Sequence, residues 1–171
     1  MKGIRKAEQS VIAYQKNQLR IMNVVLFITL YRRGYTADQI VERFNLGTDI
    51  WKESREKQSN TLAVLEEETG IELALDGEKS YTEFTQLAYR EKEVTPEEYI
   101  YALHRRKRWF APMFLACMLL ALRRMDDLSD DDLAEIAHQS DEIRKAHGED
   151  AKVYKDLMEK ETGYTPKLWG E

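Results

Sequence analysis

The chain has 171 residues, 43% of them hydrophobic, with only three prolines and eight glycines. That is enough apolar material for one domain and excludes wholesale disorder. A formal charge of −5, from 26 basic and 31 acidic residues, excludes a protein that coats nucleic acid by bulk attraction.

The first predicted element is a helix over about residues 4–32, ended by Gly34. Its stretch 21–31 is nearly all apolar, and so is 109–122 later in the chain. Both fall short of the ~20 residues a membrane span requires, so they are expected as buried central helices. The first twenty residues hold no apolar run of the length a signal peptide needs, which points to a cytoplasmic protein with no membrane association. Thr36-x-x-Gln39 is a capping box for a second helix through Phe44. Thr48 or Asp49 can cap a third helix reaching Thr69, where Gly70 and Ile71 give a helix-stop pattern. Residues 71–75 alternate and predict a short extended segment before the Asp76-Gly77 turn. Ser80-x-x-Glu83 then caps a connecting helix to about residue 91. Thr95-Pro96-Glu97-Glu98 opens a long helix that Pro112 should kink or break. Ser129 and Asp141 are the caps expected after it, and Gly163 the last stop.

Shifting the sequence by 93 residues aligns 25–71 with 118–164 without a gap and gives nine identical pairs, among them Leu26/Leu119, Ile50/Ile143 and Thr69-Gly70/Thr162-Gly163. The order of features also matches: an apolar helix, a hydroxyl cap, a polar stretch, then E-T-G. The expected fold is therefore an all-α helical bundle of two pseudo-repeats, 1–75 and 96–171, joined by a connector helix over 76–95. Tandem copies commonly bury their apolar faces on each other, so the helices at 19–31 and 109–123 should close one shared core.

The best motif is TADQIVERFNLGTDIWKES, residues 36–54. Ile40 and Phe44 are apolar, Asn45 tolerates positive φ, and Leu46 and Trp51 supply apolar anchors beyond it. In that order they resemble the helix-turn-helix of DNA-binding proteins. The resemblance implies a recognition helix whose Thr48, Lys52, Arg55 and Lys57 meet DNA. A helical hairpin packed for stability fits the same residues. In the second copy Gln139 and Arg144 replace Leu46 and Trp51, and the pattern is lost there.

His104-Arg105-Arg106-Lys107-Arg108 lies beside Tyr99, Tyr101, Trp109 and Phe110, a mixture suited to phosphate contact with stacking. Tyr99, Leu103, Phe110, Met113 and Cys117 mark an inner stripe at helical spacing. That leaves Arg105 and Arg108 outward for phosphate, and turns Arg106 or Lys107 toward an internal acidic partner. The acidic run 126–135 lacks the glycine and ligand spacing of a calcium loop and suits a helix start instead. His104, His138 and His147 have no metal-ligand spacing, and no nucleophile or phosphate-loop pattern is present. We therefore expect no metal, no cofactor, no small-molecule substrate and no catalysis. The polar stretches 52–60 and 144–152 should protrude into solvent.

Charge is segregated along the chain. Residues 1–35 carry seven basic side chains against Glu8 alone, whereas 126–150 carry ten acidic ones against Arg144 and Lys145. The succession of an apolar helix, Gly34-Tyr35, Arg43-Phe44 and Leu65-Glu-Glu-Glu-Thr-Gly-Ile71 looks like short, mostly uncharacterised helical proteins of phages and prophages of Gram-positive bacteria. That resemblance implies a small accessory protein acting on nucleic acid or on a host protein. Two functions follow as expectations. One is a nucleic-acid-binding regulatory or accessory protein, docking through 36–58 with the basic residues of 2–33 and 104–108 on phosphates. The other is an inhibitor or modulator that binds a host protein such as a defence nuclease.

Overall fold

The computed structural model describes residues 2–57, 59–73 and 95–165. Among them are seven helices and no strand: α1 (Lys2–Arg32), α2 (Ala37–Lys57), α3 (Thr61–Thr69), α4 (Pro96–Lys107), α5 (Phe110–Asp126), α6 (Asp130–His147) and α7 (Ala151–Thr162). The expected connector helix near 80–91 lies outside the described residues.

Local chemistry explains most of the boundaries. Thr36 and Gln39 close their capping box at 2.9 and 3.3 Å. Thr95 and Glu98 do the same at 2.9 and 3.2 Å, with Pro96 at the first helical position. Ser129 Oγ accepts from the Asp132 amide, and the three aspartates of α6's first turn face the positive end of its dipole. Both α3 and α7 end on left-handed glycines, Gly70 (φ 73°) and Gly163 (φ 74°). In each, the preceding threonine donates to the carbonyl four residues back and accepts the amide two residues on.

Several expectations need correction. The chain breaks at Arg108–Trp109, ahead of Pro112, which sits in the first turn of α5. A first-turn residue has no intrahelical use for its N–H, so proline is tolerated there and the break moves upstream. Asp141 lies inside α6 and caps nothing; Asp150 caps α7 by accepting from the Lys152 amide. Residues 71–73 carry no regular structure, and the rest of the expected extended segment lies outside the described residues.

The largest correction concerns α2. No turn forms at Asn45–Leu46; α2 runs unbroken from Ala37 to Lys57, and the next helix begins at Thr61. A stripe of Ile40, Arg43, Gly47, Ile50 and Ser54, at three- and four-residue spacing, is buried straight across the expected turn. Gly47 is there for close approach: a Cβ on it would lie 2.4 Å from Met118 Sδ of α5. Thr48 does not cap a helix but donates to the Phe44 carbonyl within one, at 2.9 Å. The 52–60 stretch does not protrude wholly either, because Ser54 is buried and accepts from Thr61 Oγ1 at 2.6 Å.

The main core takes its centre from α1 (Ile21 through Leu30) and α5 (Phe114 through Leu122), as expected of the two apolar helices. Ile40, Ile50 and Leu65 cover it from one side, Leu133, Ile136, Tyr154 and Met158 from the other. Each fully buried aliphatic side chain contributes roughly 1.5–3 kcal/mol. Helix α5 packs on α2 and α3, whereas α1 packs on α6 and α7. The N-terminal part of α1 leaves this core and pairs with α4 around a small separate cluster of Ile4, Ala7, Val11, Tyr99 and Leu103. The result is a two-helix arm.

Candidate functional site

The residues expected to meet a partner fall into two groups. Thr48, Lys52 and Arg55 lie on the exposed side of α2, opposite its buried stripe. Lys57 is exposed but turned elsewhere, and pairs with Glu53 at 2.5 Å. Asp49 and Glu56 are exposed on the same helix, so this side of α2 carries mixed charge. Trp51, expected as a recognition-helix anchor, instead stacks at a tilt on Phe110 (5.1 Å) and Phe114 (6.2 Å) of the core.

Arg105 and Arg108 belong to the arm, Arg105 within α4 and Arg108 at the exposed break after it. The side chain of Arg106, expected to meet an internal acid, lies outside the described residues. Lys107 turns inward and sits 5.1 Å from the centre of the Tyr14 ring. Tyr99 donates to Glu8 Oε1 at 3.1 Å, so the two helices of the arm are tied by polar as well as apolar contacts. Burial together with Glu149 nearby raises the Tyr14 phenol above its ordinary pKa, where it stays a neutral platform.

Within the basic residues of 2–33 expected on phosphates, the fold singles out one group that the sequence did not resolve. Ile4, Ala7 and Val11 face α4, so the opposite side of α1 is open. Lys2, Arg5, Lys6, Gln9, Ile12, Ala13 and Lys16 are all exposed there. No ion-pair partner exists among the described residues for Lys2, Arg5, Lys6 or Lys16. The spacing 2, 5/6, 9, 16 against 4, 7, 11 was the sequence signal for this stripe.

Many cations elsewhere are engaged, although Lys52, Arg55, Lys152 and Lys160 likewise have no ion pair among the described residues. Arg32 bonds Glu161; Arg33 reaches Asp132 (3.2 Å) and Glu135 (3.4 Å). Arg43 grips Asp126 at 2.5 and 3.1 Å, and Arg124 meets Glu68 at 3.1 Å. At the root of the arm Arg144 bonds Gln18 (2.5 Å) and Glu149 (3.1 Å). The acidic first turn of α6 lies beside Arg33, at the opposite end of α1 from Lys2. A 31-residue helix spans about 45 Å, several screening lengths at physiological salt. Lys2, Arg5 and Lys6 are thus remote from the acidic first turn of α6, whereas Lys16 lies next to Asn17, which bonds the Glu149 carbonyl at 3.1 Å.

Among the described residues no group of three or more His, Cys, Asp or Glu is arranged to hold a metal ion, and no helix is long and apolar enough to cross a membrane. Cys117 is buried, and burial pushes its thiol up to about 12. Comparison with known proteins found no matching family model, no matching curated protein and no matching solved structure.

Proposed function

We propose that this is a non-catalytic accessory or regulatory protein that docks on nucleic-acid phosphates, and that the docking surface is the arm. The observation that carries this is the open stripe of Lys2, Arg5, Lys6 and Lys16, cations with no ion-pair partner among the described residues. Cations held on one rigid face and not neutralised within the chain suit a polyanion, because each phosphate contact releases condensed counterions. Helix α2 is the weaker candidate, since its unbroken course removes the helix-turn-helix crossing and its outer side carries Asp49 and Glu56 beside Lys52 and Arg55. The resemblance to short phage and prophage proteins fits such an accessory role.

Fluorescence anisotropy of a labelled DNA duplex, titrated at several salt concentrations, tests this. Four phosphate contacts give a log–log slope of about −3.6, a loss of roughly 150-fold in affinity between 50 and 200 mM salt. Lys2→Glu/Arg5→Glu/Lys6→Glu should abolish binding, and Lys52→Glu/Arg55→Glu should leave it within about twofold. Absence of binding at low salt refutes the proposal, and loss only in the α2 variant moves the docking surface to α2.

A second reading has its own observation. Asp131, Glu135 and Glu142 form an exposed acidic row on α6 that suits a basic protein surface, such as the substrate channel of a host nuclease. Inhibition of a nuclease that Asp131→Lys/Glu142→Lys relieves would favour it.

We also infer that the chain is two diverged copies of one helical unit. In support, α2 and α6 begin 93 residues apart, at Ala37 and Asp130, and α3 and α7 end 93 apart, at Thr69 and Thr162. The buried positions correspond as well: Ile40/Leu133, Arg43/Ile136, Gly47/Ser140 and Ile50/Ile143, then Thr61/Tyr154, Leu65/Met158 and Thr69/Thr162. Arg33 and Asp126, also 93 apart, each form an ion pair with the second helix of the other half, with the charges exchanged.

A further inference from the structure

Resting on the phosphate-docking reading, we propose that the arm takes duplex DNA in particular, with the outer face of α1 seated in the major groove and Gln9 and Ile12 against base edges. The argument begins with what separates the cations. Lys2, Arg5 and Lys6 form one group and Lys16 another, and between them the exposed face is uncharged: Gln9, Ile12 and Ala13. From Lys6 to Lys16 is about 15 Å along the axis and from Lys2 to Lys16 about 21 Å, at 1.5 Å per residue. The major groove is ~12 Å wide, and adding the phosphates on its rims brings the strand-to-strand distance to roughly 18 Å. With the helix lying along the groove, cations at the two ends of the stripe reach phosphates several nucleotides apart on its rims. Arg5 and Lys6, adjacent in sequence, are turned about 100° apart and flank Gln9 on either side.

Two further features favour this occupant over a single strand. Ile12 is 51% exposed in the middle of a cationic face, where no packing among the described residues accounts for it. An aliphatic side chain there is suited to a thymine methyl group, and the neighbouring Gln9 to the paired donor and acceptor of adenine. No aromatic side chain lies on this open stripe to stack on unpaired bases, which is what single-strand surfaces provide. Because α4 lies behind α1, it braces the helix without blocking the approach, and a helix about 10–12 Å across fits the groove width.

The test uses the full chain with two probes, a random-sequence 20-bp duplex library and the single-stranded form of the same library. Affinity for the duplex should exceed that for the single strand at least tenfold at equal salt, and rounds of selection on the duplex library should enrich a short A/T-containing preference. Gln9→Ala/Ile12→Ala changes only exposed side chains. It should flatten the enriched preference and lower affinity for the enriched duplex at least fivefold, while the salt slope set by Lys2, Arg5, Lys6 and Lys16 stays unchanged. Equal or tighter single-strand binding overturns the inference, as does an enriched preference that the double variant leaves intact; either leaves phosphate docking standing. Absence of salt-dependent binding to both probes overturns the docking reading together with it.

Discussion

Asp126→Ala isolates the contact that fastens the end of α5 to α2. Asp126 accepts two hydrogen bonds from Arg43, at 2.5 and 3.1 Å, and one from the Tyr35 hydroxyl at 3.0 Å. The side chains are 11% (Arg43) and 15% (Asp126) exposed. Removing one partner of a buried ion pair costs about 3–5 kcal/mol, because the other charge stays desolvated. Arg43 keeps its bond to the Gln39 carbonyl (3.1 Å) and its contact with Glu42 (3.2 Å), which lowers the expected loss to roughly 2–3 kcal/mol. For a chain of this size that is a fall in Tm of about 5–10 °C. Urea unfolding of Asp126→Ala, Arg43→Leu and the double variant gives the coupling, which should exceed about 1 kcal/mol. The hydrogen bonds from Arg43 hold the Asp126 carboxyl below the usual aspartate range. A depressed carboxyl contributes stability that is complete above its unfolded pKa, near 4, and lost as pH falls through the lower folded value. The wild type should therefore lose stability below about pH 4 more steeply than Asp126→Asn. A loss under about 0.5 kcal/mol in Asp126→Ala, or strictly additive single effects, refutes the clasp.

Gly70→Ala and Gly163→Ala, each placing a side chain at positive φ with open space around it, should cost about 1 kcal/mol apiece and by similar amounts in urea titrations. A neutral effect at either position contradicts the left-handed helix ends. Cys117, buried and with its thiol pushed up to about 12, should resist iodoacetamide at pH 8 in the folded protein and react fully in denaturant. Rapid labelling of the native protein counts against the packing around α5.

Much of the fold was legible because its signals are local. The capping boxes at Thr36 and Thr95, the Ser129 cap and the two E-T-G stops depend on residues within one turn of each other, and they form as the spacing predicts. The apolar runs of α1 and α5 likewise announced the core. What misled was a short motif whose meaning depends on distant residues. Asn45 followed by Leu46 suggests a turn when α2 is read alone, but Met118 of α5 lies where a Cβ on Gly47 would go, and burying Ile40, Arg43, Gly47, Ile50 and Ser54 keeps the helix continuous. The candidate surface was only half legible for a related reason. Lys2, Arg5, Lys6 and Lys16 were visible as charge, but their isolation depends on which arginines the acidic residues of α6 and α7 engage, a property of the assembled bundle. Pro112 shows the same limit on a small scale: the break was readable, its position four residues upstream was not.

Lysine acetylation footprinting, with and without a DNA duplex, examines the docking surface most directly, since reactivity is read at every lysine of one sample. Lys2, Lys6 and Lys16 on α1 should be protected by the duplex, while Lys52 and Lys57 on α2 and Lys160 on α7 keep their reactivity. Protection confined to Lys52 and Lys57, or no change at Lys2, Lys6 and Lys16 under saturating duplex, contradicts docking through the arm.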